Sequence, residues 1–250
     1  MLLEGTTNNW NRFTSEWKKN LGAPEENNVH GLRVAGRRLI ASLRLIEAAC
    51  RIGPRRSRRR RIKRIVKRLG PLRDLQVHLG ILGDATRPSD LAEFRKYLNV
   101  EVQRERKVLQ RYLTTERLAK LQLLMEKTLC SASQRLQKVS VTILRCRTKS
   151  VIQSQRERLQ KARRRMTESN PESLHAVRIS AKKLRYLLEA AESVLGRASR
   201  DEMRRLRLEQ DTLGHVHDLY VARKRYERWT RQSHPQFVRP NFSRRLPSPR

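Results

Sequence analysis

Two stretches of this 250-residue chain carry the same pattern. Val29-His30-Gly31-Leu32-Arg33-Val34-Ala35-Gly36-Arg37-Arg38-Leu39 aligns with Leu174-His175-Ala176-Val177-Arg178-Ile179-Ser180-Ala181-Lys182-Lys183-Leu184, 145 residues further on. Downstream, Leu69-Gly70-Pro71-Leu72-Arg73-Asp74 aligns with Leu213-Gly214-His215-Val216-His217-Asp218 at an offset of 144. Two matched segments, in the same order and at nearly the same separation, argue for an internal duplication. A duplicated unit restricts the chain to architectures built from two related halves. The domain is read as residues 10–231, with halves of about 10–114 and 115–231. Residues 232–250 carry Pro235, Pro240, Pro247 and Pro249 among several arginines, and are expected to form a disordered basic tail.

The fold class follows from spacing. Apolar residues recur every three or four positions, and no stretch alternates with period two, so the chain reads as all-α. The 10 glycines and 9 prolines cluster at boundaries, where they end helices. The pattern predicts a leading helix over 8–20, then one capped by Asn27 or Asn28 and reaching about Cys50. A very basic helix follows from Arg55 to Leu69, closed by Gly70-Pro71. A third begins near Arg73-Asp74 and fades by Gly83; the next runs from Pro88-Ser89 to about Thr114. Helical pattern capped by Thr115 continues with weak breaks to about Met166. Asn170 and Pro171 start a helix that Gly196 stops, and two more span about 199–213 and 217–231. Gly70 and Gly214 read as residues just past helix ends. Asp74 and Asp218 read as helix caps or as partners of nearby arginines.

Placed on a helix at about 100° per residue, the repeat separates its chemistry. His30, Arg33, Arg37 and Arg44 fall within about 60° of one another, and Leu32, Ala35, Leu39, Leu43 and Ile46 lie opposite. In the second copy His175, Arg178, Lys182 and Arg185 share a face within about 80°, opposite Val177, Ala181, Leu184, Leu188 and Ala191. Each helix thus carries a rail of cations headed by a histidine. The following helix adds Arg56, Arg60, Lys63 and Lys67 in the first half, and Arg200, Arg204 and Arg207 in the second, where Asp211 interrupts the row.

Charge identifies the kind of partner. Lys and Arg number 58 against 24 Asp and Glu, a formal net charge of +34. A compact chain with that excess repels itself, and a polyanion relieves the repulsion. Nucleic acid, inorganic polyphosphate and an anionic membrane surface are the candidates. Only 5% of residues are aromatic, which counts against a binder that stacks bases on exposed rings. Ordinary helix surfaces mix signs, yet residues 27–46 and 51–73 hold no acid at all. Near-neutral imidazoles at the head of each rail can donate to phosphate oxygens or add charge. A bound polyanion should raise their pKa values, so affinity should grow as pH falls from about 8 to 6.

Catalytic patterns are missing. The chain has no Gly-rich phosphate loop, no HExxH, no nucleophile elbow and no carboxylate cluster for Mg²⁺. The alternating Glu-x-Glu-x-Lys of triphosphate-tunnel enzymes is absent too. We therefore expect a binding protein with no cofactor and no metal. Cys50, Cys130 and Cys146 show no zinc spacing and are expected to be reduced cysteines packed inside a cytoplasmic protein. No window approaches the roughly 20 apolar residues that span a bilayer, and the N-terminus lacks the pattern of a secretory signal.

The His-helix in duplicate, with its sequels Leu69-Gly70-Pro71-Leu72-Arg73-Asp74 and Gln210-Asp211-Thr212-Leu213-Gly214 before Asp218, resembles the CHAD (conserved histidine α-helical) domain family over roughly residues 10–230. The resemblance implies two pseudo-symmetric four-helix halves around a basic central channel, in a free-standing member. It implies binding of inorganic polyphosphate, association with polyphosphate granules and no catalysis. Carried over by position, the family's histidines fall on His30 and His175, and its helix cations on Arg33, Arg37, Arg38, Arg178, Lys182, Lys183 and Arg185. Gly36 stands mid-helix where members more often have a better helix former, and His217 where a smaller polar residue is usual. Two other readings stay open: non-specific nucleic-acid binding through the run 55–68 and the tail, and a polyphosphate-cleaving or phosphate-transferring enzyme using the histidines.

Overall fold

The computed structural model describes residues 1–22, 24–52, 57–83, 89–167, 170–196 and 200–233. These residues form helices and no strand: α1 (Leu2–Lys19), α2 (Glu26–Ala49), α3 (Ser57–Arg68), α4 (Gly70–Leu82), α5 (Ser89–Tyr112), α6 (Thr115–Leu136), α7 (Val141–Arg164), α8 (Pro171–Leu195) and α9 (Arg200–Ser233). Of the site residues expected from sequence, Arg56 lies outside the described residues, as does the tail from 234 on.

Apolar spacing sets the buried faces. Leu32, Ala35, Leu39, Leu43 and Ile46 of α2 are all at most 1% exposed, as are Val177, Ala181, Leu184, Leu188 and Ala191 of α8. Burying a Leu or Ile side chain is worth roughly 2 kcal/mol, so these stripes orient both helices and leave the cationic faces on the other side. α2 and α8 pack against each other, α1 lies along α2, and α7 lies along α8. Cross contacts match as well: α1 touches α8, and α7 touches α2. α3 packs on α2, and α9 on α8.

Two apolar clusters form the interior. The first joins Trp10, Phe13, Trp17, Leu32, Leu39, Ile62, Ile65, Leu75, Phe94 and Leu98, and takes in Leu118 of α6 and Trp229 of α9. The second joins Leu45, Ile46 and Ala49 of α2 with Ala132 of α6, Ile152, Leu159, Leu184, Leu188 and Leu206. The division does not follow the chain boundary at 114. α2, α6 and α9 each supply residues to both clusters.

Several helix ends differ from expectation. α1 begins at Leu2, well before residue 8. α2 starts from Glu25 with no side-chain cap, so neither Asn27 nor Asn28 caps it; the Asn28 amide instead donates to the Lys19 carbonyl at 3.4 Å. Thr114, not Thr115, caps α6, its hydroxyl accepting from the Arg117 amide. Asn170 caps α8 with Pro171 in the first turn, and Gly196 ends it at φ 75°. In that left-handed region only glycine is comfortable.

The Leu-Gly turns are the largest correction. α3 passes into α4 through the single residue Leu69, so Gly70 opens a helix and does not close one. In the second half there is no break, and α9 runs continuously where two helices were expected. Pro71 explains the difference. It lacks an N–H and its ring crowds the carbonyl four residues earlier, whereas His215 at the matching position continues the helix. Neither Gly70 nor Gly214 has positive φ. Asp74 and Asp218 therefore sit inside helices and are not N-caps. The cysteines also divide: Cys50 is buried, but Cys130 and Cys146 are exposed, contrary to the packed reading.

Candidate anion-binding site

Along α2, His30, Arg33, Arg37 and Arg44 follow one another over about 21 Å at 1.5 Å per residue. α8 lies beside them with His175, Arg178, Lys182 and Lys183. The electrostatics show which of these share one space. Lys182 is pushed down to about 7, first by desolvation, then by Arg178 and Arg37, while Asp218 opposes the shift. Arg33 is lowered to about 10 by desolvation and by Arg37, partly offset by Asp74. His30 falls below its ordinary value through desolvation, then Arg73, Arg37, Arg33 and Lys182. His175 is lowered in the same way, with Arg178 and Lys182 as the leading charges. Cations of both helices therefore crowd one space, and each makes its neighbours harder to protonate.

At the other end a second group converges. Burial lowers Lys183, and Lys63, Arg158 and Arg44 lower it further. Arg44 is depressed by desolvation, then by Arg158 and Arg59, and donates to Gln155 Oε1 at 3.0 Å. The basic row thus continues from α2 and α8 onto α3 and α7. Arg37, Lys63, Lys182 and Lys183 have no ion-pair or hydrogen-bond partner among the described residues.

Other expected residues are engaged elsewhere. Arg38 Nε donates to Glu189 Oε2 at 3.0 Å, and Arg185 Nη1 pairs with the other Glu189 oxygen. One carboxylate on α8 thus neutralises two arginines and ties α2 to α8, a link spanning 151 residues of sequence. Arg60 and Lys67 are exposed on α3, Arg204 and Arg207 on α9, and no ion pair joins any of them to the α2–α8 face among the described residues.

Sequence reasoning missed four contributors. Arg73 is the foremost charge acting on His30 and pairs with Glu26 at 2.7 Å. Arg158 reaches in from α7. Arg225 of α9 acts on Asp74 and on His78. His217 lies against His175, with ring centroids 4.1 Å apart at 31°. Its pKa is driven to about 4 by desolvation and by His175 and Arg178. The repeat itself was the available clue, since Arg73 and His217 occupy matching positions and each faces its half's rail histidine. The aspartates come together too: Arg178 Nη2 reaches Asp218 Oδ1 at 3.4 Å, and Asp218 helps raise the Asp74 pKa after desolvation.

Fold and site together define an all-helical protein with a preformed, under-neutralised cationic face. The sequence matches the CHAD domain over residues 2–227, and the chain belongs to that family. The structure is similar to the crystal structure of the CHAD domain from the plant Ricinus communis, with a TM-score of 0.73 and 23% identity. The likeness covers 94% of this chain and 81% of that one. No curated protein matches. Among the described residues, no three His, Cys, Asp or Glu converge to hold a metal, and no helix is long and apolar enough to cross a membrane.

Proposed function

We propose that this chain binds linear inorganic polyphosphate along the α2–α8 face, which forms the wall of a basic channel between two duplicated halves. The observation that carries the reading is the crowding of Arg33, Arg37, Arg178 and Lys182 in one half-buried space, where desolvation first and the neighbouring cations second hold Lys182 near 7. Natural surfaces place acids among such cations. Here the two acids nearby, Asp74 and Asp218, are outnumbered, and a chain with one charge per repeating unit completes the neutralisation. The matched contacts of α1 with α2 and α7 with α8 support the duplication. The polyphosphate association of the CHAD family supports the ligand.

Nucleic acid is the weaker alternative because the aromatic rings are occupied. Trp10, Phe13 and Trp17 pack on one another in the interior, and Phe94, Tyr97, Tyr226 and Trp229 form a second ring cluster. Few rings are left for stacking bases, the usual source of single-strand affinity. The reading assigns no bond-breaking step, and places the protein in the cytoplasm or on polyphosphate granules.

The test is a competition at fixed, near-physiological salt among long-chain polyphosphate, duplex DNA and single-stranded RNA. Polyphosphate is expected to win, with affinity falling steeply with salt, by a log–log slope of about −0.7 per phosphate neutralised. Equal or tighter binding of DNA overturns the reading. Orthophosphate release with Mg²⁺, lost when His30 and His175 are both replaced by Gln, would favour the enzyme reading instead.

A further inference from the structure

Each half of the molecule contains a glycine, an aspartate four residues later, and an arginine from the neighbouring rail. In the first half these are Gly70, Asp74 and Arg33; in the second, Gly214, Asp218 and Arg178. A Cβ built on Gly70 would meet Arg33 Nη1 at 3.2 Å, and one on Gly214 would meet Arg178 Nε at 3.4 Å and Nη2 at 3.5 Å. Both glycines are helical, and neither needs the conformational freedom of its residue type. At Gly214, inside α9, glycine is intrinsically worse than alanine, and at Gly70, the first residue of α4, the difference is smaller. What it supplies here is room for a guanidinium to lie against the backbone of the helix.

The aspartates complete the arrangement one turn on. Asp218 accepts from Arg178 Nη2 at 3.4 Å. Arg33 is the foremost charge stabilising ionised Asp74, and Asp74 is the one group that offsets the depression of Arg33. Arg33 Nη1 also points at the Val66 carbonyl, 3.5 Å away, at the end of α3. Arg178 Nε is buried with no partner among the described residues. Arg178 is thus held on one edge by Asp218 and left with an unused donor, and Arg33 leans on the Val66 carbonyl within the field of Asp74.

We propose that the two Gly-x-x-x-Asp segments, 70–74 and 214–218, are arginine cradles that position Arg33 and Arg178 for the bound anion. The glycine fixes how deep the guanidinium lies, and the aspartate fixes its rotation. Neither residue touches the ligand. The inference rests on the polyphosphate reading and adds positioning residues to it.

Opposite signs make the idea testable. Gly70→Ala with Gly214→Ala should raise or preserve thermal stability, since alanine is the better helix former. If the glycines only fill space, polyphosphate affinity stays the same; if they form cradles, it falls about tenfold for the double variant. Asp74→Ala with Asp218→Ala removes two negative charges from a polyanion site. Long-range electrostatics alone predicts tighter binding, and the cradle predicts weaker binding. Fluorescence anisotropy with labelled long-chain polyphosphate, alongside thermal melts, reads both. Unchanged or tighter binding in both double variants overturns the proposal. Arg37→Met with Lys182→Met is the control: if it too binds normally, the polyphosphate reading fails, whereas if it alone weakens, only the cradle fails.

Discussion

Lys182 ties binding to pH in a way that can be worked through. Its ammonium is held at about 7 in the free protein. At pH 8 about nine tenths of the molecules therefore carry a neutral amine. A polyanion laid along α2 and α8 restores the favourable partner that Lys182 lacks and raises its pKa toward the ordinary lysine range. Binding at pH 8 then recruits close to one proton, and its constant is reduced about tenfold relative to pH 6, where the charge is already present. At pH 9 the reduction approaches about a hundredfold, provided the bound pKa exceeds 9. His30 and His175, lowered below 6.5, add a shallower gain on the acid side.

The assay is polyphosphate affinity from pH 6 to 9 at constant ionic strength, with calorimetry in two buffers of different ionisation heat to count protons. Lys182→Arg is the companion variant, because a guanidinium keeps its charge through this range, as Arg33 at about 10 shows in the same field. Wild type should lose affinity above pH 7 and the variant should not. A flat wild-type profile, or equal slopes in the two proteins, refutes the reasoning.

Gly36→Ala puts a Cβ 2.5 Å from Val66 Cγ2, so Val66 must turn or α2 and α3 must move apart, while Phe13 Cε2 at 3.4 Å is only in contact. A loss of about 1–3 kcal/mol in chemical denaturation is expected, despite the better helix propensity. Glu189→Gln leaves Arg38 and Arg185 facing each other at partial burial. Stability should drop by about 1–2 kcal/mol, and saturating polyphosphate should raise the melting temperature more than in wild type. His78, 2% exposed, is held at about 4 by desolvation, Arg225 and His217. The unfolded chain takes up that proton near 6.5 and the native state near 4, so stability should fall as pH drops between those values, by up to about 3 kcal/mol. Melting curves of His78→Leu over that window should show a shallower slope than wild type.

Much of this could be seen in the residues. The buried stripes of α2 and α8 follow from three- and four-residue spacing, because burial dominates helix orientation. The start at Asn170-Pro171 and the stop at Gly196 are written in local chemistry. The glycines at 70 and 214 misled because a glycine after a helical run ordinarily marks a C-terminus. Their cause is a side chain some 36 residues away, which no local pattern carries. Arg38 looks like a free member of its rail until the tertiary meeting with Glu189 pairs it, whereas the Arg185–Glu189 pair is an i,i+4 contact within α8 that the spacing itself offers. Arg158 and Arg225 resemble any other surface arginine until α7 and α9 are placed.

The sharing of α2 between two cores has a consequence for folding. Its first half is anchored by Leu32 and Leu39 in one cluster, its second by Leu45 and Ile46 in the other. Fraying the first half of such a helix uncovers one interior and fraying the second uncovers the other, while α6 and α9 bridge the two as well. Here the cooperative unit should follow the shared packing and not the two sequence repeats. The two clusters are therefore coupled through α2: amide exchange in α2 and α8 should report one global opening energy, and a fragment ending near residue 114 should be less stable than the full chain, since Leu118, Met125 and Trp229 no longer cover its cluster.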